Sequence, residues 1–263
     1  MHEEFETTIV EFDESTGVGS LTLNRPDALN ALSGQLRADI EAGLRALNDL
    51  NDDGIDMRVV VIEGAGGNFC AGADVTEFEA GPPTTTVDRS HYQFIIDYPV
   101  PVIAKIRGYC LGGGLETAMA CDFRYASEDA KLGLPEVDLG IIPGAGGVQF
   151  ISRLANPAVA KEIAMTGRHV PAPEAAELGL LNDVHADDEL DDAVAEFAET
   201  LAGKPPLSLQ TIKESGNLAT QVGLREGREY DRAAFEPLLA TEDHAEGARA
   251  FAEDDYEPEF TGK

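Results

Sequence analysis

The chain has 263 residues, 43% of them apolar but only 6% aromatic and none tryptophan, which suits a folded core of Ala, Val, Leu and Ile and excludes a disordered polar chain. Forty-nine acids against 19 bases leave a formal charge of −30. Such a surface repels phosphate backbones and anionic lipid, which argues against nucleic-acid and membrane-surface functions.

The acids are spread along the whole chain, and arginine outnumbers lysine among the bases. That much like charge strains a compact state at low salt, whereas in molar salt the Debye length falls to about 3 Å and the strain largely disappears. The composition therefore predicts a salt-loving source. The acidic start "MHEEFETTIVEFDES" has no signal-type apolar segment, and no later uncharged run is long enough to span a bilayer. A cytoplasmic protein is expected. Cys70, Cys110 and Cys121 form no C-x-x-C pair and the five histidines have no ligand spacing, so buried reduced thiols and no metal are expected.

In chain order, "TTIVEFDESTGVGSLTLNRP" predicts a hairpin of strands at Thr7 to Phe12 and Val18 to Leu23, ended by Pro26. Ser33 then reads as the N-cap of an amphipathic helix carrying Leu36, Ile40, Leu44 and Leu47. "VVVI", Val59 to Ile62, reads as a buried strand that runs into the glycine-rich loop "GAGGNFCAGAD". A Pro/Thr-rich stretch near Pro82 to Thr86 precedes a helix containing His91 to Ile96. "PVPVIAKIRGYC" gives a further buried strand, and Asp122 to Ala126 another. From about Ala155 the chain reads mostly as helices, broken at "KPPLS". Strands alternating with helices predict an α/β layered fold. One main domain is expected, with residues 1–200 as core and residues 201–263 as a helical C-terminal region.

"GYCLGGGLETAMACD" places three glycines before an apolar run with one acid, Glu116. No G-x-x-x-x-G-K-[ST] is present, and no G-x-G-x-x-G joins a strand to a helix here, so a nucleotide fold is not supported. Two uses of such bare backbone remain open: close packing, or N–H groups presented to a developing oxyanion at the start of a helix. Proton transfer would need acids in apolar surroundings, where burial raises a carboxyl pKa toward neutrality. Glu116, and Glu136 in "GLPEVDLG", are the candidates.

"NFCAGADV", "GYCLGGGLETAMACDFRYAS" and "LGLPEVDLGIIPGAGG" stand in the order and spacing of the crotonase family, the enoyl-CoA hydratase/isomerase superfamily. "LTLNRPDALNALS" and the C-terminal "ATEDHAEGARAFAEDD" resemble the same family. The resemblance implies a crotonase-like spiral of ββα units with a helical C-terminal trimerisation region, assembled as a homotrimer or homohexamer. It implies an acyl-CoA thioester as substrate, with no cofactor beyond the coenzyme A that the substrate carries. It also implies an oxyanion hole at the N–H groups of Ala73 and Gly113, catalytic acids at Glu116 and Glu136, and a water-positioning amide at Gly144. Coenzyme A contacts fall on Arg25, Ala28, Ala71 and Asp74. In the hydratases two glutamates hold one water, and both positions are acids here. A 3,2-trans-enoyl-CoA isomerase, the nearest alternative, usually has an apolar residue at position 116; another acyl-CoA lyase of the family is the further one.

The match has gaps. Asp27, Thr76 and the "EDDYEPEF" segment stand where relatives often carry a base for the coenzyme's phosphates, and Phe150 replaces a frequent arginine. Two explanations compete: ionic attraction to phosphate means little in molar salt, or the ligand is not a standard coenzyme A thioester; the presence of both acids favours the first. The charge predicts that the thermal midpoint rises steadily from about 0.1 M to about 3 M KCl; a midpoint that stays flat or falls in a calorimetric salt series would remove the salt-adaptation reading.

Overall fold

The computed structural model describes residues 1–51, 54–78, 90–253 and 255–263. The expected Pro82 to Thr86 segment lies outside the described residues. Among them, ten strands form two sheets. They are β1 (His2–Glu4), β2 (Thr8–Asp13), β3 (Val18–Leu23), β4 (Val59–Gly64), β5 (Val102–Ile106), β6 (Tyr109–Leu111), β7 (Phe123–Ser127), β8 (Lys131–Gly133), β9 (His169–Pro171) and β10 (Asp183–His185). The large sheet has the order β1-β2-β3-β4-β5-β7-β10, antiparallel at the β1-β2-β3 end and parallel beyond it. The small sheet is β6-β8-β9.

The first four residues of β4, Val59 to Ile62, are apolar and buried because both faces of the strand are covered there, as a parallel strand requires. Val60 and Ile62 face the main core with α1 (Gly34–Asn48), while Val59 and Val61 face α7. The intervening helices are α2 (Ser90–Ile96), α3 (Gly113–Ala120), α4 (Gly147–Leu154), α5 (Pro157–Thr166), α6 (Ala172–Glu177) and α7 (Leu190–Ala202). Ser33 caps α1 as expected, its side chain accepting the Leu36 N–H at 3.1 Å. Leu36, Ile40, Leu44 and Leu47 are all fully buried.

The chain ends in α8 (Pro206–Ala219), α9 (Leu224–Leu238) and α10 (Glu242–Ala252). The break at "KPPLS" is real, and Pro206 opens α8 at a position where its missing N–H costs nothing. Helix α9 buries no residue, and Leu224, Phe235 and Phe251 are exposed. Helix α8 is tied to the body by Lys213, only 6% exposed, which reaches Asp122 at 2.8 Å and the carbonyls of Ile95 and Val100 at 3.3 and 3.2 Å. Removing the cation leaves the buried Asp122 carboxylate without its counter-charge. Lys213→Ala is therefore expected to lower unfolding free energy by roughly 3 kcal/mol in chemical denaturation, while a loss below about 0.5 kcal/mol would show that the pair holds nothing in place.

Candidate active site

Two loops after parallel strands meet at one point. Behind β4 the chain runs through a short 3-10 turn, Ala65–Gly67, to Cys70, which forms a parallel bridge with Cys110. The Cys70 N–H donates to the Tyr109 carbonyl and the Leu111 N–H donates to the Cys70 carbonyl, both at 2.9 Å. The glycine run thus enters α3 alongside the "CAGAD" segment. No side chain can stand between them: a Cβ on Gly114 would lie 2.4 Å from the Cys70 carbonyl oxygen.

Gly112 adopts φ +51 as the N-cap of α3, a backbone that L side chains avoid. Gly113 is the first helical residue, so its N–H has no intrahelical acceptor. A methyl group on Gly113 would stand 3.9 Å from the Ala73 amide nitrogen. Ala73 pairs with Leu32 in a second parallel bridge, in which the Leu32 N–H donates to the Gly72 carbonyl at 2.8 Å. Because a trans peptide points its C=O and N–H in opposite directions, the Ala73 N–H faces away from Leu32. Two backbone donors from separate loops are thereby brought together at the start of a helix whose dipole favours negative charge.

Glu116 occupies the first turn of α3 and is 3% exposed. Its Oε1 accepts the N–H groups of Ala145 and Gly147, both at 2.8 Å. These amides come from "PGAGG", so that glycine-rich loop serves to orient a carboxylate. Glycine suits position 147, where a Cβ would lie 2.8 Å from Leu134 Cδ2 and 3.2 Å from Glu116 Cγ, so that either side chain would have to shift. Glu136 stands in the 3-10 turn Pro135–Leu139, and its Oε1 lies 3.0 Å from the site a Gly112 Cβ would occupy. Burial pushes its carboxyl up to about 7, and the nearby Glu116 charge adds to the shift. Among the described residues nothing donates a hydrogen bond to its Oε2.

Gly144 is exposed on the same loop, next to Ala145, which binds Glu116 directly. Arg25, Ala28, Ala71 and Asp74 form one rim. The Ala71 N–H donates to the Leu29 carbonyl at 3.0 Å, and the Arg25 guanidinium donates to Asp74 Oδ2 at 2.9 Å. Hydrogen bonds from Thr76 and then from Arg25 hold the Asp74 carboxyl below its ordinary range. Sequence reasoning missed the Ala145 and Gly147 donors. It also missed Tyr92 on α2, whose hydroxyl donates to the Gly113 carbonyl at 3.4 Å. The "PGAGG" glycines were the available signal for the first pair; an aromatic in a helix carries none for the second. All three cysteines are buried, and burial pushes the Cys70 and Cys121 thiols up to about 12.

A family profile described as enoyl-CoA hydratase/isomerase matches residues 13–263. The chain belongs to that family. A probable enoyl-CoA hydratase of Mycobacterium tuberculosis is 39% identical to this hydratase/isomerase-family chain, over 98% of each. An (E)-benzylidenesuccinyl-CoA hydratase of Thauera aromatica is 38% identical over 93% of this chain and 96% of its own. A crystal structure of an enoyl-CoA hydratase subunit from Geobacillus kaustophilus superimposes with a TM-score of 0.90 at 38% identity, covering 99% of this chain and 100% of that one. The crotonase-like fold expected from the motifs is the fold observed.

The raised Glu136 has a stability consequence. Unfolded, the carboxyl ionises near its ordinary value of 4.5; folded, it keeps its proton up to about 7. The native state binds more protons across that window, so the site loses stability as pH rises through it, and the loss is complete above the folded value. Glu136→Gln is expected to stabilise the protein by about 1 kcal/mol at about pH 8, after allowing for solvent screening of a half-buried group, and by nothing near pH 4. Equal effects at both pH values in urea titrations would contradict this.

Proposed function

We propose that the protein hydrates a trans-2-enoyl-CoA to a 3-hydroxyacyl-CoA. The observation that carries this reading is the second carboxylate: Glu116, oriented by two backbone amides, beside a Glu136 whose proton is retained to about 7. In the proposed reaction the thioester oxygen receives the Ala73 and Gly113 N–H groups, which stabilise the enolate as the water oxygen bonds to the β-carbon. Glu116 takes a proton from that water, Glu136 gives its own to the α-carbon, and Gly144 helps fix the water. Loss of one such backbone donor costs on the order of 3 kcal/mol of barrier, and each positioned proton-transfer group contributes roughly 10²- to 10⁴-fold.

Coenzyme A enters only as part of the substrate, across the rim that contains Ala28 and Ala71, with Arg25 and Asp74 beside them. Residues 1–200 form the catalytic body in this reading and residues 201–263 the assembly region of a cytoplasmic homotrimer or homohexamer. The exposed Leu224, Phe235 and Phe251 support that assembly. Among the described residues no helix is long and apolar enough to cross a membrane, and no cluster of three metal-ligating side chains occurs.

The reading is tested by loss of the enoyl thioester absorbance of crotonyl-CoA in about 2 M KCl. Glu116→Gln and Glu136→Gln are each expected to lower kcat at least about 10²-fold. Because Glu136 acts in its protonated form, wild-type activity should fall as pH rises through about 7. A nearly harmless Glu116→Gln, or turnover of a 3-enoyl-CoA alone, would replace the hydratase by the 3,2-trans-enoyl-CoA isomerase.

A further inference from the structure

The arginines on the coenzyme rim are committed within the protein. One terminal nitrogen of Arg25 donates to the Ala31 carbonyl, and the other donates to Asp74 Oδ2 at 2.9 Å. Ala31 is the residue before Leu32, and Asp74 is the residue after Ala73. The guanidinium therefore closes a ring around the Leu32–Ala73 bridge, fastening one strand of it to the other. The second oxygen of Asp74 is also engaged, Oδ1 accepting the Thr76 hydroxyl at 2.6 Å and the Thr76 N–H at 3.2 Å. A second arginine acts on the same bridge. Arg37 donates through Nη1 to the Leu32 carbonyl at 2.9 Å and through Nη2 to Glu77 Oε2 at 3.2 Å, while Glu77 Oε1 accepts the Gly34 N–H at 2.6 Å. The Leu32 carbonyl also takes the Asp74 N–H at 3.1 Å.

A planar fork with both ends bound is fixed in place, and it has few donors left for a phosphate. The Arg25 side chain is 24% exposed and that of Asp74 12% exposed, so the pair is shielded far better than a surface ion pair and holds its geometry. What it holds is the peptide that bears the Ala73 N–H. A donor displaced by about 1 Å can cost 10²-fold in rate.

We infer that Arg25 and Asp74 are positioning residues that aim the Ala73 N–H at the thioester oxygen, with Thr76 orienting Asp74, and that they are not a clasp for the coenzyme's phosphates. This rests on the reading of Ala73 as an oxyanion donor.

The test reads carbonyl polarisation and turnover separately. A cinnamoyl-CoA with an electron-donating para substituent should absorb at longer wavelength when bound, because donors on the thioester oxygen draw charge along the conjugated system. In Asp74→Asn and Arg25→Lys that red shift should shrink. With crotonyl-CoA, kcat should fall roughly 10- to 100-fold while KM moves less than about threefold. Thr76→Val, at an exposed position, should change both readings in the same direction by less; it supplies the answer if Asp74→Asn does not fold. A raised KM with kcat and red shift intact would overturn the inference and return the pair to coenzyme binding. An undiminished red shift in all three variants would overturn it as well. A wild type that shifts the chromophore but hydrates nothing removes the hydratase reading alone, because the shift still tests the pair. A wild type that binds the chromophore without any shift removes the oxyanion reading and this inference with it.

Discussion

The close approach of the "CAGAD" segment to the first turn of α3 is the constraint from which the rest of the site follows. It is possible because position 114 has no side chain: any Cβ there would collide with the Cys70 carbonyl. Two parallel bridges, Cys70 to Cys110 and Leu32 to Ala73, turn that approach into a defined register. Register decides which peptide N–H groups face inward, and a slip of one residue would turn the Ala73 amide toward Leu32. A loop ordinarily free to vary is here held by backbone hydrogen bonds on both sides. The Ala73 and Gly113 amides, proposed as oxyanion donors, are therefore features of the framework, and such donors cost no reorganisation at the moment of reaction.

The two carboxylates illustrate how environment separates groups of the same chemistry. Glu116 lies within a helix's first turn, and its Oε1 receives two backbone amides. Burial, and after it the nearby Glu116 charge, raises the Glu136 carboxyl to about 7, and among the described residues nothing donates to its Oε2. Burial without full compensation is unfavourable for the fold but poises an acid for proton transfer.

Charge elsewhere follows a different rule. A chain with 19 bases against 49 acids has few cations to distribute, and several stand where they fasten elements together. Lys213 anchors α8 through Asp122, Lys105 and Arg107 join the sheet to α7 through Asp191, and Arg25 and Arg37 brace the bridge at Ala73. Both of these arginines are already matched to acids, Arg25 to Asp74 and Arg37 to Glu77.

Apolar periodicity with a capping serine was enough to find α1, and a short apolar run was enough to find the buried β4, because those signals are local. The three-residue strands β1, β8, β9 and β10 were not legible, since three residues carry no period, and the last three pair with partners far along the chain. At the site, residue types and motif spacing singled out Glu116, Glu136 and the glycine runs. They did not reveal that Ala145 and Gly147 hold Glu116, or that Arg25 reaches Asp74 49 positions away. The family, the layered α/β fold and the two candidate acids were legible in motifs whose meaning is carried by neighbouring residues. Which amides hold Glu116, how far burial raises Glu136 and which arginines are already engaged emerge only on folding, because hydrogen-bond direction and burial arise from chain segments that meet in space.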